Sequence, residues 1–191
     1  MAVSINGNTG VVTGLAALPD SAMASGSIIQ VVQSVKTDTA SQSAGIASPM
    51  NFDSVFSKAI TPSSSSNKIE VTFNLSVALS TATNLMLFRL RRKIGSGSFA
   101  DVTDAMGDTA ASRYRCMTTV ESGANAYMMH CLNLNFLDSP NTTNAVEYSF
   151  SAAHDSGSTR TFYLNRADSD GSSEAYVARG ISTIILREVA A

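Results

Sequence analysis

The sequence predicts an all-β fold: an antiparallel β-sandwich of jelly-roll type with an extended N-terminal arm. Three observations predict it. From Ile69 to Leu79 every odd residue is apolar (Ile69, Val71, Phe73, Leu75, Val77, Leu79), while Glu70, Thr72, Asn74, Ser76 and Ala78 lie between them. A period of two is that of a strand with one buried face, and eleven strand residues span about 37 Å, long enough for a large sheet packed on a second. Further alternating stretches follow at short intervals with turn residues between them, and none has a convincing helical period. Charged residues make up 15% of the chain, against about 25% in typical globular proteins. Ser, Thr, Asn and Ala take their place, a composition common on the hydroxyl-rich surfaces of extracellular or virion β-proteins.

A chain of 191 residues suits one domain of about 150 residues plus an appendage. Such a domain buries enough surface to be stable without disulfide, metal or cofactor. The net charge of −2 gives no electrostatic argument for nucleic acid. No apolar run approaches the ~20 residues that span a bilayer, so no membrane association is expected. The N-terminus MAVSINGNTG lacks the basic residues and continuous apolar core of a secretory signal. Cys116 and Cys131 could pair, but two buried free thiols in a protein made in a cytosol is the expectation.

Residues 1–26 read as the arm and residues 27–191 as the head. Asp20 is the only charge among the first 35 residues. The short pieces Val3-Ser4-Ile5 and Val11-Val12-Thr13 alternate with Asn-Gly and Thr-Gly punctuation. Asn6-Gly7 is a candidate hairpin turn, and a plain hairpin at the domain edge is the alternative to the arm. Val3, Ile5, Val11, Val12, Leu15 and Leu18 are too few to form a core, so they are expected to anchor the segment on a neighbouring subunit or partner.

In the head, Ile28–Val35 is apolar enough for a strand buried on both faces. Thr37–Pro49 reads as a loop. Phe52, Ser54 and Phe56 alternate, and Ser63–Asn67 is a polar turn before the long strand. Leu85–Ile94 places Met86, Phe88, Leu90 and Ile94 on one face. Phe99–Val102, Tyr114–Glu121 and Tyr127–Leu137 follow, the last with Met128, Leu132, Leu134 and Phe136 facing inward. Val146, Tyr148, Phe150 and Ala152 alternate with Glu147, Ser149 and Ser151. Arg160–Asn165 and Ile181–Val189 complete eight or nine strands, and only Ala105–Ala111 has a weak helical claim.

The chemistry-bearing residues are sparse. Asp101, Asp104 and Asp108 could offer oxygen ligands to calcium, but their spacing fits no EF-hand and an exposed loop accounts for them. Asp168-Ser169-Asp170-Gly171 opens like an EF-hand loop, yet Ser172 and Arg179 stand where further ligands belong, so a tight turn is expected. His130 is expected to be a hydrogen-bonded core histidine. His154 beside Asp155 has no G-x-S-x-G nucleophile to serve. Neither a catalytic nor a metal site is therefore assigned. Arg89, Arg91 and Lys93 form a basic stripe that could grip an acidic surface, and a salt-bridged outer face is the alternative. No aromatic residues interleave with the stripe, which weakens single-stranded nucleic acid as a ligand.

Three stretches resemble a recurrent module of tailed-bacteriophage structural proteins: residues 60–69 (ITPSSSSNKI), 137–143 (LDSPNTT) and 161–166 (TFYLNR). The leader Gly10-Val11-Val12-Thr13-Gly14-Leu15-Ala16 is similar to the short attachment leaders of phage fibre-like chains. The resemblance runs in order over about residues 27–189. It implies a virion location after assembly in the host cytoplasm, and usually homotrimers of β-sandwich heads. It implies no catalytic residue. Because the family spans tail fibres, head fibres and capsid decoration (cement) proteins, the place on the particle rests on build. The arm lacks the heptads of a fibre shaft. A non-enzymatic decoration or head-fibre protein bound to the major capsid protein or another virion protein is expected. The alternative is a tail-fibre protein recognising host surface glycans.

Overall fold

The computed structural model describes residues 4–5, 12–13, 23–80, 84–171 and 177–191. β1 (Ser4–Ile5) pairs antiparallel with β2 (Val12–Thr13), through Ser4 opposite Thr13 and Ile5 opposite Val12. Val3, Val11, Leu15, Leu18 and the Asn6-Gly7 turn lie outside the described residues, as do the side chains of Ile5 and Val12.

The head contains β3 (Ile28–Lys36), β4 (Ala40–Ala44), β5 (Met50–Asn51), β6 (Lys58–Ile60), β7 (Lys68–Leu79) and β8 (Leu85–Ile94). β9 (Ala100–Asp101), β10 (Thr118–Glu121), β11 (His130–Asp138), β12 (Val146–His154), β13 (Arg160–Leu164) and β14 (Ser182–Val189) follow. Several of these lie end to end on one neighbour. β14 and β13 pair with successive stretches of β7, and β3 and β4 pair with β14 and β13 in turn. In the same way β9 and β10 share one side of β8, while β5 and β6 share one side of β12.

The twelve head strands therefore fill eight positions in chain order: β3/β4, β5/β6, β7, β8, β9/β10, β11, β12 and β13/β14. One sheet has the order 1-8-3-6 and the other 2-7-4-5, with every neighbour antiparallel. This interleaving of two four-position sheets is a jelly roll.

The inner faces meet on phenylalanines, because alternation aims one side of each strand into the sandwich. Phe73 and Phe162 come from the first sheet; Phe52, Phe88 and Phe150 come from the second. Phe52 stacks on Phe150 with centroids 4.7 Å apart, and Phe73 meets Phe150 edge-on at 5.9 Å. All six predicted apolar residues of β7 are buried.

Polar side chains close one end of this core. Glu188, Ile69 and Asp138 stand opposite one another across β14, β7 and β11, with Gln30 of β3 beyond Glu188. Asp138 accepts two bonds from Arg92 Nη1, at 2.8 and 2.7 Å, and one from the Tyr148 hydroxyl at 2.6 Å. Arg92 and Tyr148 are directly paired on β8 and β12, so this carboxylate ties one sheet to the other. Burial first, and then the Asp138 charge, push the Tyr148 hydroxyl far above its ordinary pKa, so it remains a donor.

Glu188 is fully buried. It accepts from Ser63 N and Oγ, Asn67 Nδ2 and Gln30 Nε2, all within 2.6–2.7 Å. Burial alone would raise its pKa. The donors from Asn67, Ser63 and Gln30 outweigh burial and hold the carboxyl below its usual range.

A third polar centre marks where β13 ends and β14 begins. Asn165 adopts the left-handed conformation (φ 65°), which Asn tolerates better than most residues. Its Nδ2 donates to the carbonyls of Lys36 and Asp38, and its Oδ1 accepts from Ser182 Oγ at 2.6 Å. The chain leaves the sheet here and returns through Gly180, whose N–H bonds the Asn165 carbonyl. A Cβ at Gly180 would lie 2.5 Å from Ser76 Oγ, so only glycine lets the backbones approach this closely.

Several expectations need correction. β3 is not buried on both faces: it is an edge strand, and Val31 and Val35 are 56% and 49% exposed. The expected loop 37–49 contains β4, whose Ser/Ala composition hid a strand specified by pairing with β13. Residues 53–56 form a turn that drives both Phe52 and Phe56 inward. Ser149 and Ser151 are buried although they face outward, since the chain folds over them. Met128 precedes β11 and is exposed. The helical turn is a 3-10 turn at Thr103–Ala105. Both cysteines are free, but Cys131 is exposed and Cys116 only half-buried.

Phe73→Ala is expected to lower unfolding free energy by about 3–5 kcal/mol, measured by urea titration. Glu188→Gln should cost about 2 kcal/mol at neutral pH. The Glu188 pKa is lower folded than unfolded, so its stabilisation is complete above the unfolded value of about 4.3 and is lost as pH falls through the folded value. Thermal unfolding across acid pH should therefore fall less steeply for Glu188→Gln than for the wild type.

Candidate functional site

The residues with catalytic or ligating potential are separated by their partners. Asp101 bonds Arg89 and Arg91, while Asp104 and Asp108 face solvent. Asp170 accepts from Arg179 and Arg166, and those hydrogen bonds hold its carboxyl below the ordinary range, Arg179 contributing most. Among the described residues, no group of three His, Cys, Asp or Glu could hold a metal ion.

His130 Nε2 accepts the Gly123 N–H at 2.9 Å, so a neutral ring carries its proton on Nδ1. The ring borders a small cavity of about 90 Å³ with Met128, Asn125 and Asp168. His154 is fully buried and its Nε2 lies 2.9 Å from the Ala44 carbonyl, which makes Nε2 the donor. Asp155 instead accepts the Leu85 N–H at 2.9 Å. The carboxylate thus orients a backbone, not the imidazole, and the relay that a nucleophilic triad needs is not formed. Burial raises the Cys116 thiol pKa, which disfavours the reactive thiolate.

The basic stripe sits on the outer face of the 2-7-4-5 sheet. Arg91 grips Asp53 with two nitrogens, Nε at 2.9 Å and Nη2 at 3.0 Å, and reaches Asp101 with Nη1 at 2.9 Å. Arg89 bonds Asp101 at 2.8 Å and the Arg115 carbonyl at 2.6 Å, and its guanidinium lies 3.8 Å from the Tyr114 ring centre. Lys93 pairs with Glu147. Burial would lower the Arg91 pKa, but Asp53 and Asp101 raise it above its ordinary value. The stripe's cations are engaged within the chain, and the segments around residues 53–57 and 99–115 lie over this face.

The 1-8-3-6 sheet has a different outer face. Three rows of opposed residues cross it: Val35–Thr183–Asn74–Asn133, Gln33–Ile185–Thr72–Asn135 and Val31–Arg187–Glu70–Leu137. Asn133 donates to Asn74 at 2.6 Å, and Asn74 donates to Thr183 at 3.3 Å. Arg187 and Glu70, the only ionisable residues in the rows, bond each other at 3.0 Å. The next row on this face, Ile28–Val189–Lys68, adds the exposed Lys68. Aliphatic residues stand at both ends of the Val31–Leu137 row, with Leu137 47% exposed. The alternation of β7 and β11 already marked Glu70, Thr72, Asn74 and Leu137 as outward. Reading β3 as doubly buried concealed Val31 and Val35.

No protein-family model matches the sequence, and no curated protein matches it. Among solved structures, the chain is similar to a structure of infectious bursal disease virus, Gx strain, at 12% identity and a TM-score of 0.41. That match covers 84% of this chain and 37% of the other. T=1 particles derived from the same virus give 12% identity and a TM-score of 0.42, over 85% of this chain and 36% of the other. The VP2 subviral particle of that virus gives 10% identity and a TM-score of 0.39, over 84% and 38%. The chain spans less than two fifths of the length of these proteins, and likeness at this level assigns it neither fold nor function.

Arg91→Ala should leave Asp53 and half of Asp101 unpaired in a largely covered setting, and cost about 1.5–3 kcal/mol of stability. Chemical denaturation checks this. A change below about 0.5 kcal/mol, the range of surface substitutions, would mean that the stripe is an open contact surface.

Proposed function

We propose that the protein is a non-enzymatic structural component of a virus particle, of the capsid-decoration or head-fibre kind. Its jelly-roll head would be held on the major capsid protein, or another virion protein, by the N-terminal segment, and the assembled unit would be a homotrimer. The observation that carries this reading is where the phage-like stretches fall. Residues 60–69 supply Ser63 and Asn67 to Glu188, residues 137–143 supply Asp138 to Arg92 and Tyr148, and residues 161–166 supply Asn165 to the β13/β14 junction. The resemblance therefore lies in the fastenings of a rigid head, as suits a part whose role is to persist on a particle. Arg89, Arg91, Lys93 and Asp170 are likewise engaged within the chain.

Attachment is assigned to Val3, Ile5, Val11, Val12, Leu15 and Leu18. Charge-poor extended segments bind by adding a strand to a partner's edge and placing alternate side chains in pockets. Each buried aliphatic residue contributes roughly 1–3 kcal/mol before ordering costs, and three copies act multivalently.

Removing residues 1–22 preserves the Gly26 N–H bond to the Ala190 carbonyl. The truncated protein is expected to fold, stay soluble and fail to join particles when added to particles lacking the protein. Occupancy read by cryo-electron microscopy is the measure. Full occupancy by the truncated head would place attachment in the sandwich and sink the assigned role of the segment.

A further inference from the structure

We propose that His130 is an acid-operated latch for the 122–128 loop. The neutral ring holds the loop through the Gly123 N–H, and the protonated ring releases it and turns to Asp168 across the cavity they share. The hydrogen bond is the first argument. Gly123 N–H donates to His130 Nε2 at 2.9 Å, and only a ring with a lone pair on Nε2 can accept that bond. A proton on Nε2 replaces the lone pair with a second donor aimed at the first, so the charged ring cannot hold Gly123 in the same way. His130 is only partly buried, so protons reach it from solvent. Ordinary imidazoles titrate near neutrality, where ordinary carboxylates stay ionised.

The cavity supplies the alternative partner. It measures about 90 Å³, and among the described residues that line it Asp168 is the one ionisable side chain besides His130. Burial first, and then the bond to Asp168, raise the pKa of the Tyr163 hydroxyl, so Tyr163 remains the donor and Asp168 the acceptor. The other elements around the ring add little charge. β10 ends at the exposed Glu121, the loop carries the exposed Tyr127, and the β7 stretch from Val77 to Leu79 has no titratable group. An imidazolium is stabilised by a carboxylate beside it, and Asp168 is the carboxylate inside the cavity.

The fastenings of the loop confine the change. Ser122 N–H donates to the Asn84 carbonyl at 2.8 Å, and Ser169 N–H to the Ala126 carbonyl at 2.9 Å. Neither bond involves a titratable group, so both persist when the ring is charged. Between these anchors the loop lies close against the ring: a Cβ at Gly123 would sit 3.3 Å from Met128 Sδ and 3.4 Å from His130 Nε2. Protonation therefore loosens Gly123 to Asn125 without opening the core. It also resets Tyr127 and Met128, which are 40% and 48% exposed. The latch thus couples acidity to the surface at the end of the sandwich away from the Glu188–Ile69–Asp138 row, a two-state element biased by one proton.

The test is amide hydrogen exchange of the full-length chain across the range of imidazole titration, from about pH 7.5 to about pH 5, with rates corrected for the intrinsic effect of pH. On acidification Gly123 is expected to lose about tenfold in protection, the scale of one hydrogen bond, while the amides of Phe73 and Phe150 keep theirs. His130→Gln, which gains no proton, should show the same Gly123 protection throughout. Asp168→Asn should move the release to lower pH. Wild-type protection at Gly123 that does not change, or the same loss in His130→Gln, would overturn the latch. An unchanged midpoint in Asp168→Asn would overturn its second position. If a variant fails to fold, the wild type decides through its imidazole nitrogen shifts. The release of Gly123 must share its midpoint with His130 protonation, and separate midpoints would overturn the proposal.

Discussion

The row Glu188–Ile69–Asp138 is the constraint on which the head depends. Ile69 belongs to the apolar face of β7, but the residues beside it are carboxylates, both nearly inaccessible to water. A buried carboxylate is tolerated only where hydrogen-bond donors replace its lost hydration. Here the donors come from elsewhere in the fold: Arg92 and Tyr148 from the opposing sheet, Ser63 and Asn67 from the β6–β7 turn, and Gln30 from the neighbouring strand. Hydrophobic burial drives collapse without direction, whereas these groups are satisfied in one register. A one-residue slip of β14 would carry Glu188 to the outer face and leave its donors unpaired.

The same division of labour separates the two outer faces. On the 2-7-4-5 sheet, arginines and aspartates hold covering segments in place, and the charge is neutralised locally. On the 1-8-3-6 sheet the return through Gly180 lies against Ser76, Val31, Val35 and Leu137 stay exposed, and Asn133, Asn74 and Thr183 bond along one row. One face is thereby finished within the chain. The other leaves the Thr72 hydroxyl without a hydrogen-bond partner and aliphatic surface in water.

Much of this was legible in the sequence, where side-chain alternation is strong. β7, β8 and β12 follow the period of two closely, and their inner residues form the core. What alternation could not convey is how strands pair. β4 has no large apolar residue and becomes a strand only because β13 offers a partner. β3 is rich in isoleucine and valine, which reads equally as a doubly buried strand or as an edge with exposed valines, and only the sheet order decides. Asn165, Asp138 and Glu188 lay in plain view, the first two within the phage-like stretches. Their roles depend on partners such as Lys36, 129 residues from Asn165, and Ser63, 125 residues from Glu188, and no local pattern announces such contacts. Arg89, Arg91 and Lys93 were visible as a stripe, but Asp53 and Asp101 pair with them only through the fold.

Native-state hydrogen exchange of the full-length chain, read residue by residue, tests the polar row most directly. If buried carboxylates lock this end of the sandwich, the amides of Ile69, Asp138 and Glu188 should exchange as slowly as those around Phe73 and Phe150, through global unfolding alone. Fast exchange at the row, with protection confined to the phenylalanine centre, would show that the end frays and that the apolar core alone holds the head together.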